Sequence, residues 1–486
     1  MNLALFIPEL PLAVFALLVI LLDLFTEQKR LLVQVSVSGL VISAGVTLAM
    51  WGESFPAIFN NMLAVDNFAL FFKLLLLGVA FLVILASISY TQKFARFQGE
   101  YYALVLLSTL GMMLMAATTD LIAIYIALEL TSLSLYALVG FLKDSKSTES
   151  SLKYLLLGAI ASVVLLYGMA LIFGFTGQTQ LGEIARVIQA MSPQTILSFP
   201  ALTLGLVMLI TGFGFKIAAV PFQMWVPDVY EGAPTPITAY LSVASKAAGF
   251  ALILRVFFSA FGLPEWLSLN WGIIFAFLAV IGMTLGNIAA IPQTNIKRML
   301  GYSSIAQAGY LLVGMAAMGF SPVVDILGRS SIIFFLTSYA LTNMGAFIAI
   351  IAISNKLDSD LIDDYTGIGK RAPLVALALT LCLVSLIGMP PAAGFMAKFY
   401  IFSAAVRSNL LWLVIIAVIN SVISAYYYLR VVNVMWLGKA ASEEKISSPG
   451  TLRLGLVLSC LGVLLLGIIP GFAMLLAEFA ARIFVF

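Results

Sequence analysis

The sequence predicts an all-α, polytopic membrane protein with about fourteen transmembrane helices. The chain has 486 residues, of which 62% are hydrophobic and only 10% are charged, and its mean hydropathy is +1.11. Soluble proteins carry about 25% charged residues, because their exterior must face water. A helix that crosses a bilayer needs about 20 apolar residues. The sequence contains fourteen runs of this kind, separated by short loops.

The fourteen runs follow one another along the whole chain, which we interpret as a single membrane domain, residues 1–486. No soluble domain and no basic tract suited to nucleic acid interrupts them, so no nucleic-acid partner is expected. In the stretch 176–199, the spacing of Leu181, Ile184 and Ile188 fits either a short helix on the membrane surface or a polar loop. The runs lie at 3–24, 31–51, 66–90, 101–117, 120–141, 151–175, 200–222, 234–260, 270–291, 300–318, 328–353, 373–403, 409–437 and 452–480.

The basic residues predict the orientation of the helices. Cytoplasmic loops of membrane proteins carry an excess of Lys and Arg. Here the even-numbered loops carry only Arg186, Arg329 and Arg407. The odd-numbered loops are therefore predicted to be cytoplasmic and both termini to lie on the non-cytoplasmic side. The odd-numbered loops carry Lys29, Arg30, Lys93, Arg96, Lys143, Lys146, Lys297, Arg298, Lys356, Lys370, Arg371, Lys439, Lys445 and Arg453.

Four ionisable residues are predicted to lie near the middle of the bilayer. Glu129 is nine residues beyond Asp120, a predicted helix cap, and so lies about 13.5 Å deeper in the fifth span. Lys216, Lys246 and Lys398 occupy similar depths in spans seven, eight and twelve. Ionisable groups at this depth cost at least about 2.5–3.5 kcal/mol, which indicates a function. The alternatives are a structural ion pair for Glu129 and lysines that extend to the interface.

Other ionisable residues lie nearer the ends of their spans. For four basic residues among them, extension of the side chain to the membrane surface is the better interpretation. These four are Lys73, Lys153, Arg255 and Arg430. Glu9 and Asp23, at the ends of the first span, are predicted to have no special role.

Spans seven and twelve are predicted to be broken next to their lysines. In span seven, Gly212 and Gly214 precede Lys216 and Pro221 follows it. The run 373–403 would form a helix of about 46 Å, too long for the bilayer, and residues 388–394 read Gly-Met-Pro-Pro-Ala-Ala-Gly.

The two breaks also predict an internal repeat. Both broken spans place Gly-Phe at or before the lysine, and both following spans contain Leu-Arg-Val. Because the broken spans are five helices apart, the repeated units must have opposite orientations. We therefore predict inverted five-helix repeats, helices 4–8 at residues 101–260 and helices 9–13 at residues 270–437.

The absence of histidine restricts the chemistry of the chain. The sequence contains no histidine and two cysteines, Cys382 and Cys460, in apolar runs. It therefore has no histidine ligand for haem or zinc and too few thiolates for an iron–sulfur cluster. A disulfide between the two cysteines is possible, but buried thiols are the better interpretation. No cofactor and no metal are expected in this chain.

The buried Glu and Lys residues favour a proton relay. A buried carboxyl or amine loses the solvation that favours its charged form, so that proton exchange near neutral pH becomes possible. The charge on one site then affects proton binding at the next. An independent cation/proton antiporter and a purely structural subunit remain as alternative functions.

Two segments carry a specific resemblance. Residues 216–234, KIAAVPFQMWVPDVYEGAP, and 293–310, QTNIKRMLGYSSIAQAGY, resemble the antiporter-like subunits of respiratory complex I, which are similar to subunits of multi-subunit sodium/proton antiporters. The resemblance covers essentially the whole chain. Within this family, the lysine at position 398 indicates the subunit group that has lysine rather than glutamate in the twelfth helix.

The resemblance implies a function and partners. The chain would couple quinone reduction to proton pumping in the bacterial inner (plasma) membrane, with Glu129, Lys216, Lys246 and Lys398 as the relay. FMN, iron–sulfur clusters, NADH and quinone would bind to other subunits of the complex. Partners would be other membrane-arm subunits, the lipid bilayer and, indirectly, the peripheral redox arm. A multi-subunit cation/proton antiporter or a ferredoxin-dependent photosynthetic complex I remains an alternative.

The chain also departs from its relatives at two positions. Many relatives have histidine where this chain has Gln223, and some have histidine where it has Gln307. A glutamine does not titrate, but it can hydrogen-bond to water.

Overall fold

The structure is a computed structural model that describes residues 3–53, 55–191, 200–263, 265–320, 326–438 and 448–482. Within these residues the chain is almost entirely helical, and it contains isolated β-bridges but no strands. Its helices, numbered here by span, are α1 Leu10–Phe25, α2 Lys29–Ala49, α3 Asn67–Ser87, α4 Gln98–Ala117, α5 Leu121–Val139, α6 Ser145–Thr176, α7a Pro200–Ile217, α7b Val226–Gly232, α8 Thr235–Phe261, α9 Glu265–Ala290, α10 Ile296–Phe320, α11 Ile326–Leu357, α12a Pro373–Ile387, α12b Ala393–Arg407, α13 Leu411–Leu437, α14a Gly450–Ile468 and α14b Gly471–Ala481.

The fourteen predicted spans are confirmed. In the described part of the chain, 12 helices are long and apolar enough to cross a membrane. The first span is a shorter helix of 16 residues, and the twelfth consists of two halves of 15 residues each. Each of the fourteen predicted runs therefore corresponds to one helix or one broken pair.

Two boundaries differ from the predicted ones. Helix α6 begins at Ser145 rather than at residue 151, because the Asp144 side chain accepts a hydrogen bond from Ser147 N at 2.7 Å and caps the helix in the polar loop. The fourteenth span is broken between α14a and α14b, which the sequence analysis did not anticipate. Pro470 lies at this break, where its missing N–H prevents continuous helical hydrogen bonding.

The sequence leaves open whether residues 176–199 form a short helix or a polar loop, and the structure answers this for part of the stretch. Leu181–Gln189 forms a helix whose Leu181, Ile184 and Ile188 side chains are buried and which packs against α8. Residues 192–199 lie outside the described residues. The first part of this stretch is therefore a helix and not a polar loop.

The core of the bundle is formed by three helices that other helices surround. In the most apolar 18-residue stretch of each helix, all residues of α8 are buried, as are 94% of those of α10 and 89% of those of α11. In α6 and α14a, by contrast, only 28% of the residues in this stretch are buried, so these helices face the surroundings of the bundle. Glycines allow α9 and α10 to approach closely: a Cβ on Gly286 would lie 2.6 Å from Ala306 N.

Candidate functional site

The candidate site lies along the interior of this bundle and begins at the break in the seventh span. Helix α7a ends at Ile217, the next residue, Ala218, has φ +63°, and α7b does not begin until Val226. The Phe215 carbonyl at this helix end accepts from Ala218 N at 3.2 Å and from the Trp225 indole N–H at 3.1 Å. The predicted break next to Lys216 is therefore present.

The break in the twelfth span has the same position relative to its lysine as the sequence predicts. Helix α12a ends at Ile387, and Gly388 follows with φ +90°. Gly394 approaches the end of α12a so closely that a Cβ there would lie 1.8 Å from Ser385 O. Its N–H donates to Ser385 Oγ at 3.0 Å. Only a glycine allows this contact between the two half-helices.

Glu129 is half-buried on α5 and faces α6. Ser162 Oγ, on α6, donates a hydrogen bond to the Glu129 carboxylate. Asp120 caps α5 as predicted, because its side chain accepts from Ile122 N at 2.8 Å. The carboxylate therefore lies nine residues beyond Asp120, in a helix whose start is fixed by this cap.

Lys216 lies next to this carboxylate but not in contact with it. Lys216 Nζ donates to Ser132 Oγ at 3.1 Å, and Ser132 follows Glu129 on α5 by one helical turn. A cavity of about 10 Å³ lies beside Lys216, and its polar lining also includes Ser132, Tyr136 and Ser162. This volume is enough for about one water molecule. A water here can connect Lys216 to Ser162, the residue that donates a hydrogen bond to Glu129.

Lys246 follows a local irregularity in α8. Residues Leu241–Ser245 form a π-helical turn directly before the lysine. Such turns in α-helices are common at functional sites, because they redirect the side chains that follow. Lys246 Nζ donates to both the carbonyl of Ser304 and its hydroxyl, the latter at 2.6 Å.

Ser304 is in turn the centre of a hydroxyl cluster. Tyr339 OH donates to Ser304 Oγ at 3.1 Å, and Tyr230 OH lies 3.2 Å from the same oxygen. Asn343 Nδ2 donates to Tyr339 OH at 3.1 Å. The cluster therefore extends from Lys246 on α8 to α7b, α10 and α11.

Lys398 binds the free carbonyl end of a half-helix. Its Nζ donates to Ile387 O at 2.8 Å and to Leu386 O at 3.2 Å, the last carbonyls of α12a, and to Ser421 Oγ at 2.8 Å. The C-terminus of a helix carries partial negative charge, which favours an ammonium group there. The Tyr310 ring lies 4.3 Å from Nζ and adds a cation–π contact.

A second small cavity joins the hydroxyl cluster to Lys398. It also has a volume of about 10 Å³, and its polar lining includes Gln307, Tyr339, Thr342 and Lys398. Gln307 Nε2 donates to Leu386 O at 3.1 Å, so that this amide shares an acceptor with Lys398. Polar groups and one water-sized space thus connect Lys246 to Lys398.

The link between Lys216 and Lys246 is less polar. A Cβ on Gly249, one turn beyond Lys246, would lie 3.5 Å from Lys216 Cγ, so that the Lys216 side chain passes close to α8. The rings of Tyr154 and Trp225 stack in the same region, with ring centroids 4.6 Å apart. Ser245 Oγ is buried here without a hydrogen-bond partner among the described residues.

The three lysines differ from Lys73, Arg255 and Lys297, which are buried but form ion pairs with carboxylates. Lys216, Lys246 and Lys398 are 5%, 2% and 5% exposed. Among the described residues, none of them has a carboxylate oxygen within 4 Å. Their partners are hydroxyls and carbonyls, which are neutral whether or not the lysine carries its proton.

Several predictions of snorkelling side chains are wrong. Lys73 does not reach the surface but forms an ion pair with Glu9 at 2.6 Å, both side chains being at most 2% exposed. Glu9 therefore has a structural role that the sequence analysis did not assign. Arg255 is also buried, because Asp66 accepts two hydrogen bonds from its guanidinium at 2.8 and 2.9 Å.

The remaining end-of-span residues have simple contacts. Arg430 is half-buried and donates to the carbonyls of Ile291 and Gln293. Lys153 does reach the surface as predicted, with ion pairs to Glu149 at 2.7 Å and Asp228 at 2.8 Å. Asp23 accepts a hydrogen bond from Gly99 N at 3.3 Å and so has a structural contact that was not predicted.

The neutral acceptors around the lysines are not predicted by the sequence. Serines and tyrosines inside apolar helices are common, and their spacing carries no signal that separates these from the rest. Both cysteines are free; Cys382 is buried as predicted, whereas Cys460 is only partly buried, contrary to the prediction. The hydroxyl acceptors of the lysines are Ser132, Ser304 and Ser421.

A membrane helical bundle with helices broken beside Lys216 and Lys398 and with ionisable side chains in its interior is typical of an ion-translocating membrane protein. Residues 117–424 match the family model described as NADH:quinone oxidoreductase/Mrp antiporter, TM. The chain belongs to this family, which confirms the resemblance seen in its motifs.

Individual relatives agree with this assignment. NADH-quinone oxidoreductase subunit N of Dehalococcoides mccartyi is 53% identical over 99% of both chains. A chain of respiratory complex I from Thermus thermophilus has 32% identity and a TM-score of 0.82 over 97% of this chain and 99% of that one. A chain of the membrane-bound sulfane sulfur reductase, an archaeal respiratory membrane complex, has 26% identity and a TM-score of 0.88 over 100% and 98%. Subunit N is the group that the lysine at position 398 predicts.

Proposed function

We propose that this chain is a proton-translocating membrane-arm subunit of an NADH:quinone oxidoreductase in the bacterial inner membrane. Quinone reduction elsewhere in the complex would drive proton movement through its interior. The observation that carries this proposal is the set of three buried lysines that bind neutral acceptors at or beside helix irregularities. The names of the relatives support the same function.

We assign the redox cofactors to other subunits. With no histidine and two cysteines in apolar helices, this chain offers few ligands for an iron–sulfur cluster. FMN, NADH, the clusters and quinone would therefore bind elsewhere in the complex, and this chain takes part in the reaction as a translocating subunit. Neighbouring membrane-arm subunits and lipid are its direct partners.

In the proposed relay, protons pass from Glu129 through Lys216 and Lys246 to Lys398. A lysine bound only by hydroxyls and carbonyls has no fixed counterion, so the charge on its neighbour decides whether it holds its proton. Two unit charges about 6 Å apart interact by ~2.8 kcal/mol at an effective dielectric constant of 20, a hundredfold change in proton affinity. Each transfer would thereby favour the next.

Water and hydroxyl groups would complete the pathway between these sites. The two cavities of about 10 Å³ provide the places for water next to Lys216 and Lys398. Gln307 would hydrogen-bond to water at the second cavity rather than titrate. Gln223, whose Oε1 is buried without a described partner, would do the same near the first broken helix.

We further propose that residues 101–260 and 270–437 are inverted repeats and that both termini are non-cytoplasmic. The similar breaks beside Lys216 and Lys398 support the repeat. The concentration of basic residues in alternate loops supports the orientation.

A charge-conserving substitution tests the relay most directly. Lys216→Arg keeps a positive charge, but arginine does not release its proton under these conditions. We expect proton uptake into inverted vesicles, driven by NADH oxidation in the assembled complex, to fall at least tenfold in Lys216→Arg and in Lys216→Ala. Normal pumping by Lys216→Arg would contradict the relay, because it would show that only the charge is needed.

The matched control removes an equally buried pair outside the relay. In Glu9→Gln/Lys73→Met both charges are replaced together, which avoids an unpaired buried charge. We expect this variant to pump normally per assembled complex. If both variants lost pumping to the same extent, the loss would reflect a general effect of removing buried charge. Sodium uptake in place of proton uptake would instead favour a cation antiporter.

A further inference from the structure

A large groove lies on the outer face of the bundle, away from the relay. It has a volume of about 670 Å³ and runs between α12a and α14a. One end is lined by Arg371, just before α12a, and by Arg453 in the first turn of α14a. The rest of its lining is almost entirely aliphatic and extends to Leu381 and Leu464.

The dimensions of the groove match one leaflet of a bilayer. Leu381 is ten residues from Arg371 and Leu464 is eleven residues from Arg453, so that the apolar part extends for about 15–17 Å along the helices. Half of a hydrocarbon core of about 30 Å has the same depth. The arginine pair therefore lies at the level of the headgroups when the aliphatic part lies among the acyl chains.

The chemistry of the groove fits one class of ligand. Arg371 and Arg453 place positive charge and N–H donors for a phosphate at one end, and the aliphatic walls offer a surface for a hydrocarbon chain. Both arginines belong to the loops in which basic residues concentrate, which we assign to the cytoplasmic side. Leu377 and Val457 line the groove and are 58% and 53% exposed, so that part of its wall is open to lipid.

From these observations we infer that the groove between α12a and α14a is a binding site for an anionic phospholipid of the cytoplasmic leaflet. Its phosphate contacts Arg371 and Arg453, and an acyl chain lies along the aliphatic walls. The site is independent of the relay, and its occupant packs against the half-helix whose end binds Lys398. Bound lipid therefore supports the position of α12a from outside.

Cys460 supplies a local probe of this site. It lines the groove and is partly exposed, whereas Cys382, the other cysteine of the chain, is fully buried. In a Cys382→Ala background, the rate at which a membrane-soluble maleimide modifies Cys460 reports whether the groove is occupied. The purified full-length chain in neutral phosphatidylcholine nanodiscs is the starting sample.

We expect phosphatidylglycerol of matched acyl composition to slow the modification of Cys460, with saturation at one lipid per chain. Arg371→Gln/Arg453→Gln should weaken this protection about 30-fold, since each arginine near the membrane surface contributes a factor of roughly five. Arg407→Gln, at the other end of span twelve, is the matched control and should leave the protection unchanged.

Three outcomes would overturn the inference. The same modification rate with and without phosphatidylglycerol in the phosphatidylcholine nanodisc would show an unselective lipid surface. Protection by glycerol phosphate equal to that by phosphatidylglycerol would show a headgroup site without an acyl chain. In the assembled complex, a photo-reactive group at position 377 should crosslink to lipid. A crosslink to another subunit in its place would show that the groove is a protein interface.

Discussion

Buried charges in this chain follow two different patterns of contact. Glu9 and Lys73 neutralise each other at 2.6 Å, and removing one partner of such a pair costs about 3–5 kcal/mol. Lys216 has no such partner among the described residues, and its ammonium group depends on a single hydroxyl. The first pattern fixes the charge state of a lysine, whereas the second leaves it open to change.

The hydroxyl that binds Lys216 provides a prediction at this scale. Ser132→Ala removes the described acceptor of Lys216 Nζ and leaves the rest of α5 unchanged. A hydrogen bond to a charged group contributes about 1.5–3 kcal/mol, so we expect proton translocation to slow by about tenfold or more. The measurement is the initial rate of proton uptake in vesicles that contain the assembled complex.

Two further variants make this result specific. Ser132→Thr keeps the hydroxyl and should restore most of the rate. Ser134→Ala, two residues along the same helix, removes a hydroxyl that bonds only to Leu130 O of its own helix, and should pump normally. Equal rates for Ser132→Ala and Ser134→Ala would show that the contact with Lys216 has no part in translocation.

At the scale of elements, the breaks in spans seven and twelve determine where the lysines can bind. A continuous helix satisfies its own carbonyls, so Lys398 would find no free acceptor there. The break after Ile387 exposes two carbonyls, and Lys398 returns from α12b to bind them. The break is therefore part of the lysine site and not merely a bend beside it.

Gly394 allows a test of this arrangement. In Gly394→Ala the new Cβ would lie 1.8 Å from Ser385 O, so the two half-helices must separate. We expect a destabilisation of about 1–3 kcal/mol and a loss of translocation, because Lys398 moves away from its carbonyl partners. Thermal unfolding of the chain in nanodiscs and proton uptake by the complex measure the two effects.

The matched glycine lies in a helix that faces the surroundings. A Cβ on Gly174 of α6 meets nothing within 4 Å, so Gly174→Ala should leave stability unchanged or raise it slightly. If Gly394→Ala behaved like Gly174→Ala, the close contact between the half-helices would not be required.

At the scale of the whole molecule, the sequence predicts the span count, the two broken helices and the depth of Glu129 and the lysines. Apolar run length, glycine and proline carry those signals, and all are local in sequence. It does not predict that Glu9 meets Lys73 or that Ser304 receives Lys246, because those contacts join distant helices. Which side of a helix faces a partner depends on packing, and a uniformly apolar helix carries no pattern that shows it.

An ion cluster centred on Asp228, beyond the end of the predicted seventh run at residue 222, joins the two proposed repeats. Asp228, on α7b, accepts from Lys153 of α6 at 2.8 Å and from Arg298 of α10 at 2.6 Å. Partial burial alone would raise the pKa of the Asp228 carboxyl, but the hydrogen bonds and charges of Lys153 and Arg298 hold it below its ordinary value. Asp228 therefore links residues 101–260 to residues 270–437 through its charged form.

This linkage gives the cluster a defined dependence on pH. A carboxyl whose pKa is lower in the folded chain adds stability above its unfolded pKa, here about 4, and loses it as the pH falls through the folded value. We expect Asp228→Asn to be less stable than the native chain by about 1 kcal/mol at pH 7, a difference that shrinks below about pH 4. Thermal unfolding in nanodiscs between pH 7 and pH 3 measures it. The control variant Glu149→Gln removes the solvent-exposed partner of Lys153 within α6. It should change stability by less than about 0.5 kcal/mol at any pH. An equal loss of stability in Asp228→Asn and Glu149→Gln would contradict a link between the two halves.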